Sequence, residues 1–309
     1  MNSKRSEIVI VDNKVYHLGL AKGQLAENVF IVGDPARAVR VSKRFDVITS
    51  SVNNREYLTF TGTYKGMPAT VIGTGIGTDN VEIALVEAYI LNEFDFETAS
   101  RQVNCRPLTI IRIGTSGGVQ ANIAPGVFGI SSYALGLDST GPYYDFSAAD
   151  KVVTEIEESA IEILGKATPI GFRFKDKLVP YASKASETVT TALIDQARRQ
   201  KVAFAVGITA SSPSFYGASS RFIEGLTNTI PDIKAQLAAI DINGTKVINM
   251  EMESSLMFHL CGQMNYQAGT ICPIISNPAT SDAVIDYDNL IEMSITIGLE
   301  AMVDLKGTA

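Results

Sequence analysis

Apolar positions along the chain follow an alternation of short continuous runs and longer amphipathic segments. The runs Val29-Phe30-Ile31-Val32, Ala69 to Ile72, Leu108-Thr109-Ile110-Ile111 and Ala203 to Ile208 have the length and β-branched content of buried strands. Glu56 to Tyr64 reads as a further strand. Helical spacing runs from Asp34-Pro35 to about Phe45, and again over Val81 to Phe94, Lys184 to Arg199 and Asp288 to Leu305. This order predicts an α/β fold around a largely buried central sheet. Gly33, Gly73, Gly75, Gly77, Gly114, Gly117 and Gly118 follow predicted strand ends, where open sheets place their ligands. No proline-rich linker, repeat or low-complexity segment interrupts the pattern, so residues 1–309 read as one domain. The least regular stretch, about 138–180, holds Thr140-Gly141-Pro142-Tyr143-Tyr144 and the acidic Glu155-Ile156-Glu157-Glu158. It is expected to be an elaboration of the core, a lid or a subunit contact.

The sharpest local feature is Asn249-Met250-Glu251-Met252-Glu253-Ser254, between the apolar Val247-Ile248 and the helically spaced Leu256, Met257 and Leu260. The glutamates therefore fall where a strand becomes a helix. A carboxylate there can face a cleft and accept hydrogen bonds from two neighbouring hydroxyls, with methionine as a soft apolar surface for a sugar ring. By itself the run also suits an acidic helix N-terminus matched to the macrodipole. Gly33-Asp34-Pro35-Ala36-Arg37 follows a strand, with Asp34 as N-cap and Pro35 at the first helical position. The free N–H groups there favour an anion, and Arg37, unfavourable to the dipole, gains a reason if an anion joins it. In Ile111-Arg112-Ile113-Gly114-Thr115-Ser116-Gly117-Gly118, Arg112 stands inside an apolar strand, where an unpaired charge is costly. It serves either a buried salt bridge or, with the hydroxyls of Thr115 and Ser116, a phosphate. Asn53-Asn54-Arg55-Glu56-Tyr57 offers a further arginine before a strand.

Composition narrows the options. At 46% hydrophobic and 19% charged the 309 residues are those of a globular protein, and a net charge of -7 argues against a nucleic-acid-coating surface. Cys105, Cys261 and Cys272 are widely spaced in apolar surroundings and suit reduced core thiols. The two histidines, His17 and His259, are too few for a multi-histidine zinc site and make a Ser-His-Asp hydrolase improbable. His259 reads as a packed helix residue. No apolar run approaches a membrane span and no signal peptide is evident, so a cytoplasmic protein is expected.

Taken in order, several motifs resemble the nucleoside phosphorylase family, specifically its uridine phosphorylase branch. They are Val15-Tyr16-His17-Leu18-Gly19-Leu20, Gly33-Asp34-Pro35-Ala36-Arg37, Asn54-Arg55-Glu56-Tyr57, Thr74-Gly75-Ile76-Gly77, Arg112 to Gly118, Ser211-Ser212-Pro213-Ser214-Phe215-Tyr216 and Glu251-Met252-Glu253-Ser254. The resemblance implies a central mixed, partly barrel-like sheet flanked by helices in three α/β/α layers. It also implies a homo-oligomer with shared sites, a dimer or a trimer of dimers. Gly33, Arg37, Arg112 and Thr115 would hold phosphate, with Arg55 donated by the neighbouring subunit. Met252 and Glu253 would hold ribose, with His17 of the neighbour at the 5′-hydroxyl. Phe215 would stack on the base and Arg221 would bind a pyrimidine carbonyl. Inorganic phosphate would be a co-substrate, with no cofactor and no metal beyond a possible interface cation near Glu56.

At two base-contacting positions the chain departs from the family. Ser219 stands where uridine-specific members carry a glutamine, and Pro278, directly after Asn277, where they usually carry an arginine. Purine-cleaving relatives place an aspartate at the position of Asn277. Phosphorolysis of a nucleoside, foremost uridine, to base and ribose 1-phosphate is the leading expectation. A phosphorylase for purine or altered-base nucleosides, and a catalytically weak nucleoside-binding homologue, stand beside it.

Overall fold

Side-chain alternation in the central strands dictates the layering. In the strand Asn28–Val32, Val29 and Ile31 join one buried cluster while Phe30 and Val32 join another on the opposite face. The strand Thr109–Ile113 does the same, with Ile110 on one side and Ile111 and Ile113 on the other. Strands apolar on both faces must be covered on both. The computed structural model, which describes residues 6–277, 282–283 and 287–307, provides that cover. Helices Thr78–Glu93 and Ser254–Met264 pack on one face, and helices Pro35–Ser42, Glu187–Arg199 and Asp288–Gly307 on the other.

The described strands include a mixed sheet of 13. Its main path runs Tyr181–Lys184, Phe128–Gly136, Phe204–Ser211, Thr245–Glu251, Ser116–Gly118, Gln267–Asn277, Thr109–Ile113, Asn28–Val32, Met67–Gly73, Tyr57–Tyr64 and Val47–Asn54. Phe128–Gly136 pairs with Phe204–Ser211 on one side and with Gln267–Asn277 on the other. That double pairing closes five strands into a ring, so the sheet is part barrel and part open, as the resemblance implied. A third apolar cluster fills the outer side of the ring, where helix Lys151–Ala167 buries Val153, Ile156, Ala160 and Leu164 against helix Ile233–Ala238. The irregular stretch at 138–180 thus contains a helix anchored in the core, capped by Asp150 accepting from the Val153 N–H at 3.1 Å.

The predicted elements are present, with shifts at their ends. Lys184 closes a strand, and the helix assigned to it starts at Glu187 after Ser186. Gly117 and Gly118 lie within the short strand Ser116–Gly118 instead of beyond a strand end, because that segment pairs with both Thr245–Glu251 and Gln267–Asn277. Cys261 and Cys272 are buried free thiols, but Cys105 is half-buried in a loop and is not a core residue. His259 is a helix residue whose Nε2 lies 2.7 Å from the Tyr144 carbonyl oxygen, against the rings of Phe146 and Tyr181. Among the described residues no helix is long and apolar enough to cross a membrane.

Candidate active site

Where the chain leaves the strands Asn28–Val32, Met67–Gly73, Thr109–Ile113 and Thr245–Glu251, a cleft of about 650 Å³ opens. Each strand end delivers part of its wall. Gly33, Asp34 and Arg37 come from the first, Gly75 and Ile76 from the second, Arg112 and Thr115 from the third, and Glu251, Met252 and Glu253 from the fourth. The loop after Phe204–Ser211 adds Phe215, Ser219 and Arg221.

The predicted helix start is present: Asp34 accepts from the Ala36 N–H at 2.8 Å and Pro35 opens the helix. This capped turn directs Arg37 inward, where its Nη1 donates to the Ile113 carbonyl at 3.0 Å. Its Nε is buried without a hydrogen-bond partner among the described residues. Burial, and then the neighbouring Arg112, hold the Arg37 guanidinium below its ordinary pKa.

Arg112 realises the salt bridge and still lines the cleft. Its Nε donates to Glu251 Oε2 at 2.7 Å and its Nη2 to Glu253 Oε2. Gly114 leaves the room this requires, since a side-chain carbon there would stand 2.8 Å from the guanidinium carbon of Arg112 and 2.7 Å from Cys272 Sγ.

The two glutamates share one arginine but differ in their other partners. Burial disfavours charge on Glu251, but Arg112, Ser211 Oγ at 2.5 Å and the Ser254 N–H together bring its pKa below the usual carboxylate value. Glu253 has fewer donors, the Gly77 N–H at 2.9 Å and the Met252 N–H at 3.2 Å beside Arg112. Burial raises Glu253 to about 7 even though Arg112 opposes the shift, and the charge of Glu251 adds to it. Gly77, at φ 104, supplies its N–H from a backbone conformation that side-chain-bearing residues rarely adopt.

Of the residues singled out from sequence, Gly33, Arg37, Arg112, Thr115, Phe215, Ser219, Arg221, Met252 and Glu253 come together in this cleft. Three do not. Arg55 is at the exposed tip of the hairpin joining Val47–Asn54 to Tyr57–Tyr64, at φ 52, with its guanidinium 5.1 Å from the Tyr16 ring centre. His17 sits 2.8 Å from Glu87, whose carboxylate also takes the N–H groups of His17 and Leu18. Asn277 is buried behind Gly118, its Nδ2 donating to the carbonyls of Gln120 and Ile123, so its amide serves the fold instead of facing the cleft. Pro278 lies outside the described residues.

Other assignments shift in detail. The Ser116 hydroxyl accepts from Asn249 Nδ2 at 2.9 Å and donates to the Pro273 carbonyl, so it is engaged away from a phosphate. Arg221 lays its guanidinium 4.1 Å from the Phe215 ring centre and donates Nη1 to the Phe215 carbonyl, covering one face of that ring. The Ser219 hydroxyl turns to Met250 Sδ at 3.9 Å. Near Glu56, and elsewhere among the described residues, no group of three or more His, Cys, Asp or Glu side chains is arranged to hold a metal ion. Sequence reasoning passed over Glu251 as a separate participant, and Lys234 altogether. The available signal for Lys234 was a lysine next to the apolar stripe Ile230, Ile233, Leu237.

The family model of the Phosphorylase superfamily matches residues 28–296. The chain belongs to this superfamily. Among its relatives within it, the uridine phosphorylase of Thermococcus kodakarensis is 29% identical over 267 residues, spanning 86% of this chain and 79% of that protein. The uridine phosphorylase of Escherichia coli is 26% identical over 265 residues, 85% of this chain and 86% of that one. A DeoD-type purine nucleoside phosphorylase of Listeria welshimeri is 34% identical, but over only 109 residues and 35% of this chain. Among solved structures, a Trypanosoma brucei nucleoside phosphorylase described as showing uridine phosphorylase activity superposes with a TM-score of 0.85. It is 28% identical and is covered over 100% of its length by 96% of this chain.

Proposed function

We propose that this superfamily member catalyses the reversible phosphorolysis of uridine to uracil and ribose 1-phosphate. The observation that carries the reading is Arg37, a buried guanidinium with an unpartnered Nε and no carboxylate of its own among the described residues, beside Arg112 at a strand-end cleft. A cationic pair with spare donors at a capped helix start is matched to a small oxyanion such as phosphate. Glu253, paired with Arg112 in the same cleft, is in this reading the group that favours positive charge on the ribose ring as the bond to the base breaks. The relatives named for uridine, matched over about 85% of this chain, support this base over a purine, since the likeness to the Listeria welshimeri purine enzyme covers about a third of the chain.

The active protein is a homo-oligomer in this reading. Arg55, on an exposed hairpin tip, and His17 reach the site of a neighbouring copy, completing the phosphate and ribose contacts. The test is release of uracil from uridine with and without inorganic phosphate. Turnover that requires phosphate and yields ribose 1-phosphate supports the reading, whereas equal rates in phosphate-free buffer refute it in favour of hydrolysis.

A further inference from the structure

Lys234 is a charged residue of the cleft that neither the Arg112 ion-pair network nor the roles above employ. It projects from helix Ile233–Ala238 and is only 9% exposed. Its Nζ rests 3.2 Å from where a side-chain carbon on Gly117 would stand, with Ser276 Oγ also close to that point. Among the described residues no carboxylate pairs with it, and the charged group acting on it is the like-charged Arg221. An ammonium on a largely buried side chain with no carboxylate partner, at the wall of a cleft, is suited to an acceptor supplied by what enters the cleft.

Its place along the sheet says which part of a nucleoside that is. The strand Ser116–Gly118, under Lys234, is separated from Asn28–Val32, which delivers Gly33 and Arg37, by Gln267–Asn277 and Thr109–Ile113. At ~4.8 Å per strand the two ends of the cleft stand roughly 14 Å apart along the sheet. An anion at Arg37 and a sugar at Glu253 therefore direct the base toward Lys234. At that end Ser219 is turned to Met250 and Arg221 is stacked on Phe215 with Nη1 on the Phe215 carbonyl, while the lysine ammonium has no carboxylate partner among the described residues.

We propose that Lys234 binds the base, donating to a carbonyl oxygen of the pyrimidine and holding the negative charge that develops there. The proposal rests on the phosphorolysis reading above. In that reaction a phosphate oxygen bonds to the anomeric carbon while the carbon–nitrogen bond breaks. Its electron pair leaves on the base and spreads to the carbonyl oxygens. The proton lost by hydrogen phosphate returns through solvent to the base nitrogen, and Lys234 keeps its own proton throughout. Adenine has no carbonyl oxygen to take up that charge and offers only ring-nitrogen acceptors at other positions, so the residue favours uridine over adenosine.

The test uses the full-length protein and Lys234→Met, which keeps the apolar stem and deletes the charge. Uridine kcat/KM is measured at saturating phosphate, uracil binding by calorimetry, and phosphate KM alongside. The expected result is a loss of about 30-fold or more in kcat/KM and weaker uracil binding, with phosphate KM changed by less than about twofold. Lys234→Arg should recover part of the loss. Wild-type kcat/KM and uracil affinity in Lys234→Met overturn the proposal, as does a parallel loss of phosphate binding, which marks a structural role. If Lys234→Met does not fold, Lys234→Gln must show the same selective loss. A wild-type protein that leaves uridine intact in phosphate defeats the phosphorolysis reading instead, and the uracil titration then tests the lysine by itself.

Discussion

Arg37→Met should separate the binding role of this residue from any structural one. Among the described residues the guanidinium makes one hydrogen bond, to the Ile113 carbonyl at 3.0 Å, while its Nε has none and Arg112 is a cationic neighbour. A buried donor left unmatched costs about 1–3 kcal/mol, and a hydrogen bond from a charged group contributes about 1.5–3 kcal/mol. The two nearly cancel, so without phosphate the variant should melt within a few degrees of wild type, at about 2 °C per kcal/mol for a chain of this length. Phosphate should distinguish them. At a hundredfold excess over its Kd, a ligand stabilises by about 2.7 kcal/mol, or roughly 5 °C in wild type. Losing a charge-assisted contact weakens phosphate by about 10- to 100-fold and removes from about half to most of that shift. The measurement is a thermal melt at graded phosphate and constant ionic strength. A variant that melts far below wild type yet keeps the full phosphate shift would refute the reasoning, because Arg37 would then be holding the fold.

Glu253→Gln should lower kcat for uridine by roughly 100-fold while the protein still folds, as expected for a group that acts mainly in the transition state. The carboxylate, raised to about 7, must be ionised to favour a cationic ribose, so wild-type kcat/KM should decline as pH falls through about 7. A Gln variant that keeps this acid limb would remove Glu253 from the role. Gly114→Ala should cost activity by about tenfold or more, because the added carbon 2.8 Å from the Arg112 guanidinium carbon displaces that group; unchanged kcat/KM would contradict the packing argument. Arg55→Ala and Arg37→Met should each be weakly active alone, yet mixed oligomers should regain activity, since one site then carries both lesions and another carries neither. Mixed oligomers verified by mass that show no recovery would mean that Arg55 does not serve a neighbour's site.

What the sequence disclosed depended on how local the cause was. Val29 to Val32 announce a strand buried on both faces because the evidence is contiguous, and Asp34-Pro35 announce a helix start because capping acts within a turn. The ring closure has no such signature. It arises because Phe128–Gly136 pairs with strands beginning at Phe204 and Gln267, a choice made by distant chain segments. Site residues divide the same way. Arg112 stands out because a charge inside an apolar run demands explanation, and its partners Glu251 and Glu253 are conspicuous at a strand end. Asn277 looked like a base contact by its place in a motif, yet its amide is taken by Gln120 and Ile123, whose carbonyls no local pattern brings near. Lys234 was hidden for the opposite reason. A lysine on a short helix reads as solvated until the sheet beneath it shows that its ammonium lies against Gly117.

The shared ion pair also bears on why this cleft would favour phosphorolysis. Arg112 is held by two carboxylates, so within the Arg37, Arg112, Glu251 and Glu253 set the cationic and anionic groups are already equal in number when both acids are ionised. Phosphate entering beside Arg37 makes that set net anionic and places an anion near Glu253, in a site where burial has already raised the carboxylate pKa. Local charge balance then improves when a positive charge forms nearby, and a ribose ring acquires one as its bond to the base breaks. An arrangement that is under electrostatic stress with substrates bound, and relieved as the sugar becomes cationic, binds the transition state better than the ground state, which is the requirement for acceleration. Arg55 from a neighbouring copy would moderate that stress and let phosphate bind at all. On this argument an oligomer would do more than shape the cleft. Its added positive charge would set how strongly phosphate is held, so loss of Arg55 should raise phosphate KM more than it lowers kcat.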